Sequence, residues 1–247
     1  MNRIIYGFHS VTARIRSNAA TVTEVFLDAG RQDVRGKDLR ALAESKGIRV
    51  MSVDSKRLDG MVGGQRHQGV AANVLVQALS HSLDDILDAA TDPALVLVLD
   101  GVTDPHNLGA CLRVADAAGA HAVVAPKDNA AGLSATVIKV ASGAAETMPY
   151  IMVTNLARTL RELKERAIWV VGADSAAEHD LYVAKMPVAV AWVLGAEGQG
   201  LRRLTRETCD ALVNIPMSGS VESLNVSVAS GVCLFESRRR RMASARD

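Results

Sequence analysis

The chain has 247 residues, of which 49% are apolar and 22% are charged, and its formal net charge is +1. This length can bury the core of one large domain or of two small ones. The composition excludes a disordered, a collagen-like and a disulfide-scaffold chain. No apolar run approaches the ~18 residues of a membrane-spanning helix. Because Gly7 and His9 interrupt the first residues, we expect no signal peptide there.

The cysteines indicate a reducing compartment. The three of them, Cys111, Cys209 and Cys233, are scattered along the chain without the spacing of a metal site, and an odd number cannot all form disulfides. Reduced, mostly buried cysteines are typical of a cytoplasmic protein. The sequence therefore predicts a soluble cytoplasmic protein with no metal site and no membrane contact.

Charge is unevenly distributed along the chain. Residues 1–80 hold 12 Lys and Arg against 7 Asp and Glu, whereas residues 81–247 hold 16 against 20. This asymmetry is typical of a polyanion-binding module attached to a second domain, although chance surface charge gives the same numbers. The run Arg238–Arg241 ends a predicted helix, where the helix dipole favours cations. With only 8 aromatic residues in the chain, RNA recognition by a stacking platform is not expected.

Short β-rich runs alternate with a helical pattern in the first eighty residues. The predicted strands cover residues 24–27, 48–53 and 69–76. A helix is predicted over Lys37–Lys46, because Gly47 is a good C-terminal cap. The glycine-rich, basic run Gly60–Gly69 predicts a loop. We expect a small α/β domain over residues 1–78, followed by a polar linker over residues 79–93 that ends at Pro93.

The order strand–helix repeats through residues 94–247, the predicted second domain. Predicted strands cover residues 95–99, 122–125, 168–171, 188–194 and 212–215, and predicted helices cover residues 108–118, 134–142, 155–166, 201–209 and 226–241. This alternation predicts a parallel sheet with helices on both faces, and the near-continuous apolar runs indicate strands that are buried on both sides. Ligands of such sheets bind at the carboxyl ends of the strands.

Three polar, glycine-containing loops follow predicted strands and form the candidate site. They are Asp100–Gly109, Leu194–Leu201 and Ile215–Ser227. Each has a purely structural explanation: Asn107, Ser223 and Asn225 could be helix caps, Glu197 could favour the next helix, and Asp116 could pair with Arg113. Three such loops in order on one sheet nevertheless indicate a functional site.

Several common chemistries lack their motifs in this sequence. A Walker phosphate loop, a Gly-x-Gly-x-x-Gly after a strand and a Gly-x-Ser-x-Gly elbow are all missing. Glu178, His179 and Asp180 stand together but do not make a metal site. Nucleotide-binding Rossmann enzymes and zinc hydrolases are therefore poor fits.

The three loops are similar to the three signature motifs of the SPOUT class of RNA methyltransferases, in its 2′-O-methylating SpoU/TrmH branch. The matching residues are Asn107, Gly109 and Arg113 in the first motif, Leu194, Gly195, Glu197 and Gly200 in the second, and Pro216, Gly219 and Ser223–Ser227 in the third. Tyr6–Val11 and His67–Val70 resemble the RNA-binding domain of this family, which is similar to a small ribosomal-protein fold.

The resemblance implies a fold, a cofactor and an assembly. The second domain is expected to be a trefoil-knotted α/β methyltransferase domain, and the protein a homodimer with its active site at the subunit interface. S-adenosyl-L-methionine is expected to bind in the knot, largely through backbone groups, with no metal. The residues implied here are Gly172, Gly195, Ile215, Met217 and Leu224.

The resemblance also implies a substrate and catalytic residues. Asp100–Asn107 and Gly195–Gly198 resemble most closely the members that methylate a guanosine ribose in the P loop of the peptidyl-transferase centre of 23S rRNA. The expected partner is 23S rRNA or an assembling pre-50S particle. Arg113 is implied to activate the 2′-hydroxyl, with Asn107, Glu197, Ser223 and Asn225 orienting it. Because a guanidinium keeps its proton in proteins, we interpret Arg113 as a cation that binds phosphate and stabilises the forming alkoxide.

Two alternative functions share these features. A tRNA guanosine 2′-O-methyltransferase would carry the same three motifs, although the N-terminal module favours the rRNA enzymes. A non-catalytic rRNA-binding assembly factor would keep the fold, although the complete set of motif residues favours an enzyme. A small-molecule oxidoreductase is not supported, because the dinucleotide fingerprint is missing.

Overall fold

In this computed structural model the described residues are 2–31, 33–75 and 82–244, and they belong to two compact units. The first unit contains the described residues up to Leu75 and also Ser142–Thr147. The second unit contains the remaining described residues from Ser82 onward. The predicted boundary at residue 78 and the first part of the predicted linker lie outside the described residues, so the predicted domain limits stay a prediction.

The first unit is a four-stranded sheet with helices. Its strands are β1 (Asn2–Tyr6), β2 (Val22–Asp28), β3 (Arg49–Val53) and β4 (Val70–Leu75), and its helices are α1 (Phe8–Asn18), α2 (Val34–Ser45) and α3 (Ser55–Met61). The strand order is β1-β4-β2-β3, in which β2 and β3 are parallel and β4 is antiparallel to β1 and β2. The three predicted strands and the predicted helix are confirmed, whereas β1, α1 and α3 were not predicted.

Helices cover both faces of this sheet because the side chains of a strand alternate. In β2, Val25 and Leu27 pack into the core on the side of α1 and α2, while Phe26 packs with Leu58 of α3 on the other side. Helix α2 begins after Asp33, whose side chain accepts a hydrogen bond from the Gly36 N–H at 3.0 Å.

A buried carboxylate ties Ser142–Thr147 into the first unit. The side chain of Glu146 is 1% exposed and lies 2.5 Å from Arg3 Nη2 and 3.5 Å from Arg14 Nη1. Gly143 has a φ of +101°, and a Cβ there would lie 2.9 Å from the His9 carbonyl oxygen. Because a buried carboxylate needs a cationic partner, this segment depends on residues of α1 and β1.

The second unit is a six-stranded sheet in which every neighbouring pair is parallel. Its strands are β5 (Leu95–Asp100), β6 (Ala122–Pro126), β7 (Tyr150–Val153), β8 (Trp169–Ala173), β9 (Val190–Gly195) and β10 (Ala211–Val213). Its helices are α4 (Leu83–Asp88), α5 (Pro105–Ala118), α6 (Ala135–Ala141), α7 (Leu156–Glu165), α8 (Arg203–Thr208) and α9 (Val226–Ser244). The strand order is β10-β8-β9-β5-β6-β7, so the predicted parallel α/β fold is confirmed.

This strand order brings the three candidate loops together. Strand β9 lies between β5 and β8, with Asp100 in register with Gly195 and Leu194 in register with Ala173. Val213 of β10 is in register with the same Ala173, so the carboxyl ends of β5, β9 and β10, which precede the three loops, lie along one edge of the sheet although they are distant in the chain. The knotted path of the chain stays a prediction.

The arginine run at the end of α9 has specific partners beyond the helix dipole. Arg240 donates hydrogen bonds to the carbonyls of Leu181 and Ala184 at 2.7 and 2.6 Å. Arg241 donates to the carbonyls of Ala94 and Val188 at 2.8 and 2.6 Å. The run therefore fastens the segment before β9, and the amino end of β5, to α9. No helix in the described ranges is long and apolar enough to cross a membrane.

Candidate active site

A cavity of about 270 Å³ opens at the carboxyl ends of β8 and β9, beside the segment that follows β10. Four of the five predicted cofactor residues line it, namely Gly195, Ile215, Met217 and Leu224. Asp174, Ser175 and Glu222 also line it, and motif reasoning did not find them. Their signal in the sequence was only that they follow predicted strands.

Gly172, the fifth predicted cofactor residue, does not line this cavity. It lies inside β8, where a Cβ would be 2.6 Å from Leu212 Cδ2 and 2.8 Å from Leu201 Cδ1. The glycine thus allows the neighbouring side chains to pack closely against the strand. The cavity is reached by the residues that follow it in the chain, Ala173–Ser175.

Gly195 permits the backbone to cross itself at the end of β9. A Cβ at this position would lie 2.1 Å from the carbonyl carbon and oxygen of Gly200. The loop between them is closed by a hydrogen bond from the Gly200 N–H to the Ala196 carbonyl at 2.9 Å. Only glycine leaves room for this crossing, which places Glu197 at the tip of the loop.

Three side chains, one from each motif, form a hydrogen-bonded network beside the cavity. The amide of Asn107 donates to Glu197 Oε1 at 3.0 Å, and the amide of Asn225 donates to the same oxygen. Asn225 Nδ2 also donates to Asn107 Oδ1 at 2.9 Å, while Asn225 Oδ1 accepts from the backbone and hydroxyl of Ser227. The network therefore joins the first turn of α5, the loop after β9 and the start of α9.

Asn107 is not the N-cap of α5. That position is held by Asp104, whose side chain accepts a hydrogen bond from the His106 N–H at 2.9 Å, and Pro105 follows at the first helical position. Asn107 lies inside the first turn, which frees its side chain for Glu197. Gly109 lets α6 approach, because a Cβ there would be 2.7 Å from Val140 Cβ.

Arg113 and Ser223 are exposed, and neither has a hydrogen bond or an ion pair within the described part of the chain. Ser223 lines the cavity, whereas Arg113 does not. An exposed, unpaired guanidinium on the helix that carries Asn107 is free to bind an anion.

A buried ion pair missed in the sequence fixes the second loop. Asp100 ends β5 with its side chain fully buried, and it accepts hydrogen bonds from the backbone N–H of Arg202 at 3.0 Å and from Arg202 Nε at 2.6 Å. The pair links residues 102 positions apart, so sequence spacing could not reveal it. It anchors the end of the loop that carries Glu197 to the strand that precedes the first motif.

The charge of the cavity suits a cation. Asp174, Glu197 and Glu222 line it, and no lysine or arginine is among its lining residues. Arg206 Nε lies 3.1 Å from Asp174 Oδ2, while Glu197 is held by neutral amides. Among residues 2–31, 33–75 and 82–244, no group of three or more His, Cys, Asp or Glu side chains could hold a metal ion.

The thiols close to the site are not nucleophiles. Burial raises the pKa of Cys111 to about 11 and that of Cys209 to about 12. Both therefore stay protonated near neutral pH, so covalent catalysis through a thiolate is not supported. What the site offers is a cavity lined by small and polar residues and a carboxylate held by two amides, with an unpaired guanidinium on the helix that carries Asn107.

Comparison with known proteins agrees with this architecture. The sequence model of the SpoU rRNA Methylase family matches residues 94–235, and that for RNA 2′-O ribose methyltransferase substrate binding matches residues 4–75. A 23S rRNA (guanosine-2′-O-)-methyltransferase RlmB from Ralstonia nicotianae is 60% identical over 97% of this chain and 96% of its own. The protein of the same name from Vibrio vulnificus is 53% identical over 98% and 99%.

Solved structures share the fold over nearly the whole chain. A crystal structure of an RNA 2′-O ribose methyltransferase superposes with a TM-score of 0.78 at 25% identity, covering 98% of this chain and 89% of that one. The SpoU methyltransferase AviRb from Streptomyces viridochromogenes, in complex with AdoMet, has a TM-score of 0.75 at 23% identity, with 98% and 91% coverage. A parallel sheet with these three loops defines a SPOUT-class methyltransferase. The chain belongs to the SpoU rRNA methylase family.

Proposed function

We propose that this enzyme transfers a methyl group from S-adenosyl-L-methionine to the ribose 2′-hydroxyl of a guanosine in 23S rRNA. The observation that carries the proposal is the Asn107–Glu197–Asn225 network, which brings all three motifs of the family together beside a cavity. The named relatives at 53–60% identity act, by their names, on 23S rRNA guanosine. The target within the rRNA is the P loop of the peptidyl-transferase centre.

The cavity residues fit this cofactor. Bound S-adenosyl-L-methionine supplies a methyl group on a sulfonium cation. The backbones of Gly195, Ile215, Met217 and Leu224 line the space that would hold it, and the glycine crossing leaves no side chain in the way. The carboxylates of Glu197 and Glu222 favour a positively charged ligand over a neutral one.

Arg113 acts on the ribose hydroxyl as a cation. A 2′-hydroxyl is a poor nucleophile near neutral pH, so its alkoxide must be stabilised as the proton leaves. The guanidinium of Arg113 has no partner within residues 82–244 and can bind the adjacent phosphate and the developing negative charge. Asn107, Glu197, Ser223 and Asn225 orient the reacting groups, which supplies alignment of oxygen, methyl carbon and sulfur.

The active form is a homodimer built on α9. Three exposed apolar residues recur every seven positions along this helix: Val228, Phe235 and Met242, with 51%, 48% and 52% of their surfaces exposed. Residues seven apart lie on one helix face, so they form a continuous apolar stripe, which we call the α9 stripe. A second copy of the chain covers the stripe, and the knotted site lies at that interface.

The substrate is cytoplasmic 23S rRNA, free or within an assembling pre-50S particle. The first unit, which matches the substrate-binding model of this family, supplies contacts that position the RNA. Its excess of basic residues provides phosphate contacts, whereas specificity comes from base and shape readout. Methylation at this stage makes the enzyme a ribosome-maturation factor.

The deciding experiment is methyl transfer from labelled S-adenosyl-L-methionine to unmodified 23S rRNA fragments, with tRNA as the competing substrate. We expect 2′-O-methylguanosine only in the fragment that contains the P loop. Label in tRNA would contradict the rRNA assignment and support the tRNA alternative. Cofactor binding without transfer to naked rRNA, tested next on pre-50S particles, would distinguish a need for ribosomal context from a non-catalytic assembly role.

A further inference from the structure

The first unit contains a polar cleft that the proposed reaction does not use. The cleft has a volume of about 570 Å³ and lies at the carboxyl ends of β2 and β3. Its walls are Asp28–Arg31, Ser55, Asp59 and the loop Gly64–Gly69, and they present no large apolar side chain. We call this feature the loop cleft. A polar lining of this kind fits a polar ligand better than an apolar segment of another protein.

Contacts among the residues that line the loop cleft hold their backbone in place; we call these residues its frame. His67 is buried; its Nδ1 accepts a hydrogen bond from the Gly69 N–H at 2.9 Å, and its Nε2 donates to Asp59 Oδ1 at 3.0 Å. Gly69 has a φ of +80°, and a Cβ there would lie 3.1 Å from Arg31 Cδ. The geometry of this loop therefore depends on glycine and on a buried histidine.

Arg31 completes the frame. Its guanidinium bonds both carboxylate oxygens of Asp33, donates to the Gln68 carbonyl and lies 4.6 Å over the ring of Phe8. Gln68 is held in this way at a φ of +55°, a conformation that costs energy for a residue with a side chain. Such strain persists only where the surroundings enforce it, and it fixes the direction of the Gln68 side chain.

The two acidic groups of the loop cleft keep their charge, but each is held in place by a hydrogen bond from a neutral donor. Asp28 Oδ1 accepts from the Gly30 N–H at 2.9 Å, and Asp59 is bonded to His67. In contrast, Ser55, Gln65, Arg66 and Gln68 have no side-chain hydrogen bond or ion pair within residues 2–31 and 33–75. The free groups are thus one guanidinium, two amides and one hydroxyl, all facing solvent.

We propose that the loop cleft binds an unpaired nucleotide of the RNA substrate; this inference rests on the proposed rRNA function. Amides can bond the edges of a base, and a guanidinium can bind a phosphate or stack on a base plane. Single-stranded loops are the elements of RNA that expose their base edges for such contacts. The rigid frame lowers the entropic cost of binding, because the loop is already ordered.

Two substitutions test the assignment without disturbing the frame. Arg66→Ala removes the free guanidinium. Gln68→Asn shortens the amide, and Asn tolerates a positive φ, so the loop keeps its path. The matched control is Lys46→Ala, which removes one exposed cation just before the amino end of β3, at the opposite edge of the same sheet; its side chain has no partner within residues 2–31 and 33–75.

The probe is a fluorescent, unmodified P-loop hairpin of 23S rRNA, compared with a duplex RNA of the same length and measured with the full-length protein. We expect Arg66→Ala and Gln68→Asn each to weaken hairpin binding about five- to twentyfold, in the range of single base or stacking contacts. Lys46→Ala is expected to weaken it less than about twofold, and binding of the duplex to change equally in Arg66→Ala and Lys46→Ala.

Several outcomes would overturn the inference. If the wild type methylates the hairpin but both cleft variants bind it as Lys46→Ala does, the cleft assignment fails and the proposed function stands. If the variants lose activity only on pre-50S particles while hairpin binding is unchanged, the cleft contacts a ribosomal protein instead. If the wild type neither binds nor methylates 23S rRNA, both the substrate proposal and this inference fall.

Discussion

The role proposed for Arg113 requires no contact of its side chain with the rest of the described chain. It bonds nothing within residues 82–244 and lies outside the lining of the cavity. Its removal should therefore leave folding and cofactor binding intact while it removes the cation that stabilises the alkoxide. Residues that stabilise such charge contribute about 10²–10³-fold in rate.

We predict that Arg113→Ala lowers methyl transfer by at least about 10²-fold and changes the Kd for S-adenosyl-L-methionine less than about twofold. Calorimetry and single-turnover kinetics measure the two quantities. Arg161→Ala, which removes an exposed arginine from α7, is the control and should retain full activity. Equal losses of affinity and rate in Arg113→Ala would contradict the assignment. High activity in Arg113→Lys would show that charge matters more than guanidinium geometry.

Gly195 is a second residue whose role is set by one contact. A methyl group there would have to occupy space 2.1 Å from the Gly200 carbonyl, and a backbone atom cannot move aside as a side-chain end can. We expect Gly195→Ala to lower the free energy of unfolding by about 1–3 kcal/mol and the affinity for the cofactor at least about tenfold. Gly132→Ala is the matched control, because no atom lies within 4 Å of its added Cβ. Unchanged cofactor affinity in Gly195→Ala would refute the role of the crossing.

For individual residues, the sequence motifs identified positions in the loops of the site but not the contacts between their side chains. Gly195 and Ile215 line the cavity, because each lies at the carboxyl end of a strand of the same sheet, and their binding of the cofactor stays a prediction. Gly172 does not line it, since its place inside β8 depends on packing against Leu201 and Leu212. The bond between Asp100 and Arg202 joins two elements that only tertiary folding brings together.

Among the secondary-structure elements, α9 makes specific contacts through its last turns in addition to placing positive charge at the negative end of its helix dipole. Arg241 reaches two carbonyls, those of Ala94 and Val188, which precede neighbouring parallel strands. These hydrogen bonds hold the residues that precede β5 and β9 against the end of α9. A general effect of positive charge would be shared by every arginine of the run, whereas these bonds belong to particular residues.

We predict that Arg241→Ala lowers the free energy of unfolding by about 1–3 kcal/mol, as expected for hydrogen bonds from a charged donor to two carbonyls, one of them partly buried. Arg238→Ala should cost at most about 0.5 kcal/mol, because the exposed Arg238 side chain has no hydrogen bond or ion pair within residues 82–244. Urea unfolding of both variants provides the comparison. Similar costs for the two substitutions would favour the dipole explanation instead.

The elements that sequence missed are short, peripheral or hidden by polar residues. Strand β7 has four residues and lies at the sheet edge, so its apolar pattern is brief. Helix α1 does carry apolar residues at helical spacing, Phe8, Val11 and Ile15, but charged and hydroxyl residues separate them. The long strands of the second unit were found because burial on both faces makes them continuously apolar.

At the scale of the whole molecule, the α9 stripe decides the proposed assembly. A single exposed apolar residue is ordinary, but three on one face of one helix form a contiguous apolar surface whose exposure to water is unfavourable. If a second copy covers this face, a charge in its centre must oppose association. The site then loses whatever the partner chain contributes.

We predict that Phe235→Glu converts the dimer into a monomer at micromolar concentration and lowers methyl transfer at least about tenfold, because burying an unpaired carboxylate is strongly unfavourable. Sedimentation and activity are measured on the same sample. Val34→Glu in the first unit is the control: Val34 is 72% exposed, and an acidic residue in the first turn of α2 is favoured by the helix dipole. A wild type that sediments as a monomer would exclude the proposed dimer.

The raised pKa values of all three cysteines, of which Cys111 and Cys233 are buried, make the chain convenient to label. Burial raises the pKa of Cys233 to about 12 and keeps Cys111 and Cys209 protonated as well, so none of them presents a thiolate at neutral pH. A cysteine introduced at the exposed Gln65 would have an ordinary pKa near 8.5 and would react first with a maleimide dye. A fluorophore could thus be placed at the rim of the loop cleft without removing any native thiol, and its signal would follow the arrival and departure of RNA in real time.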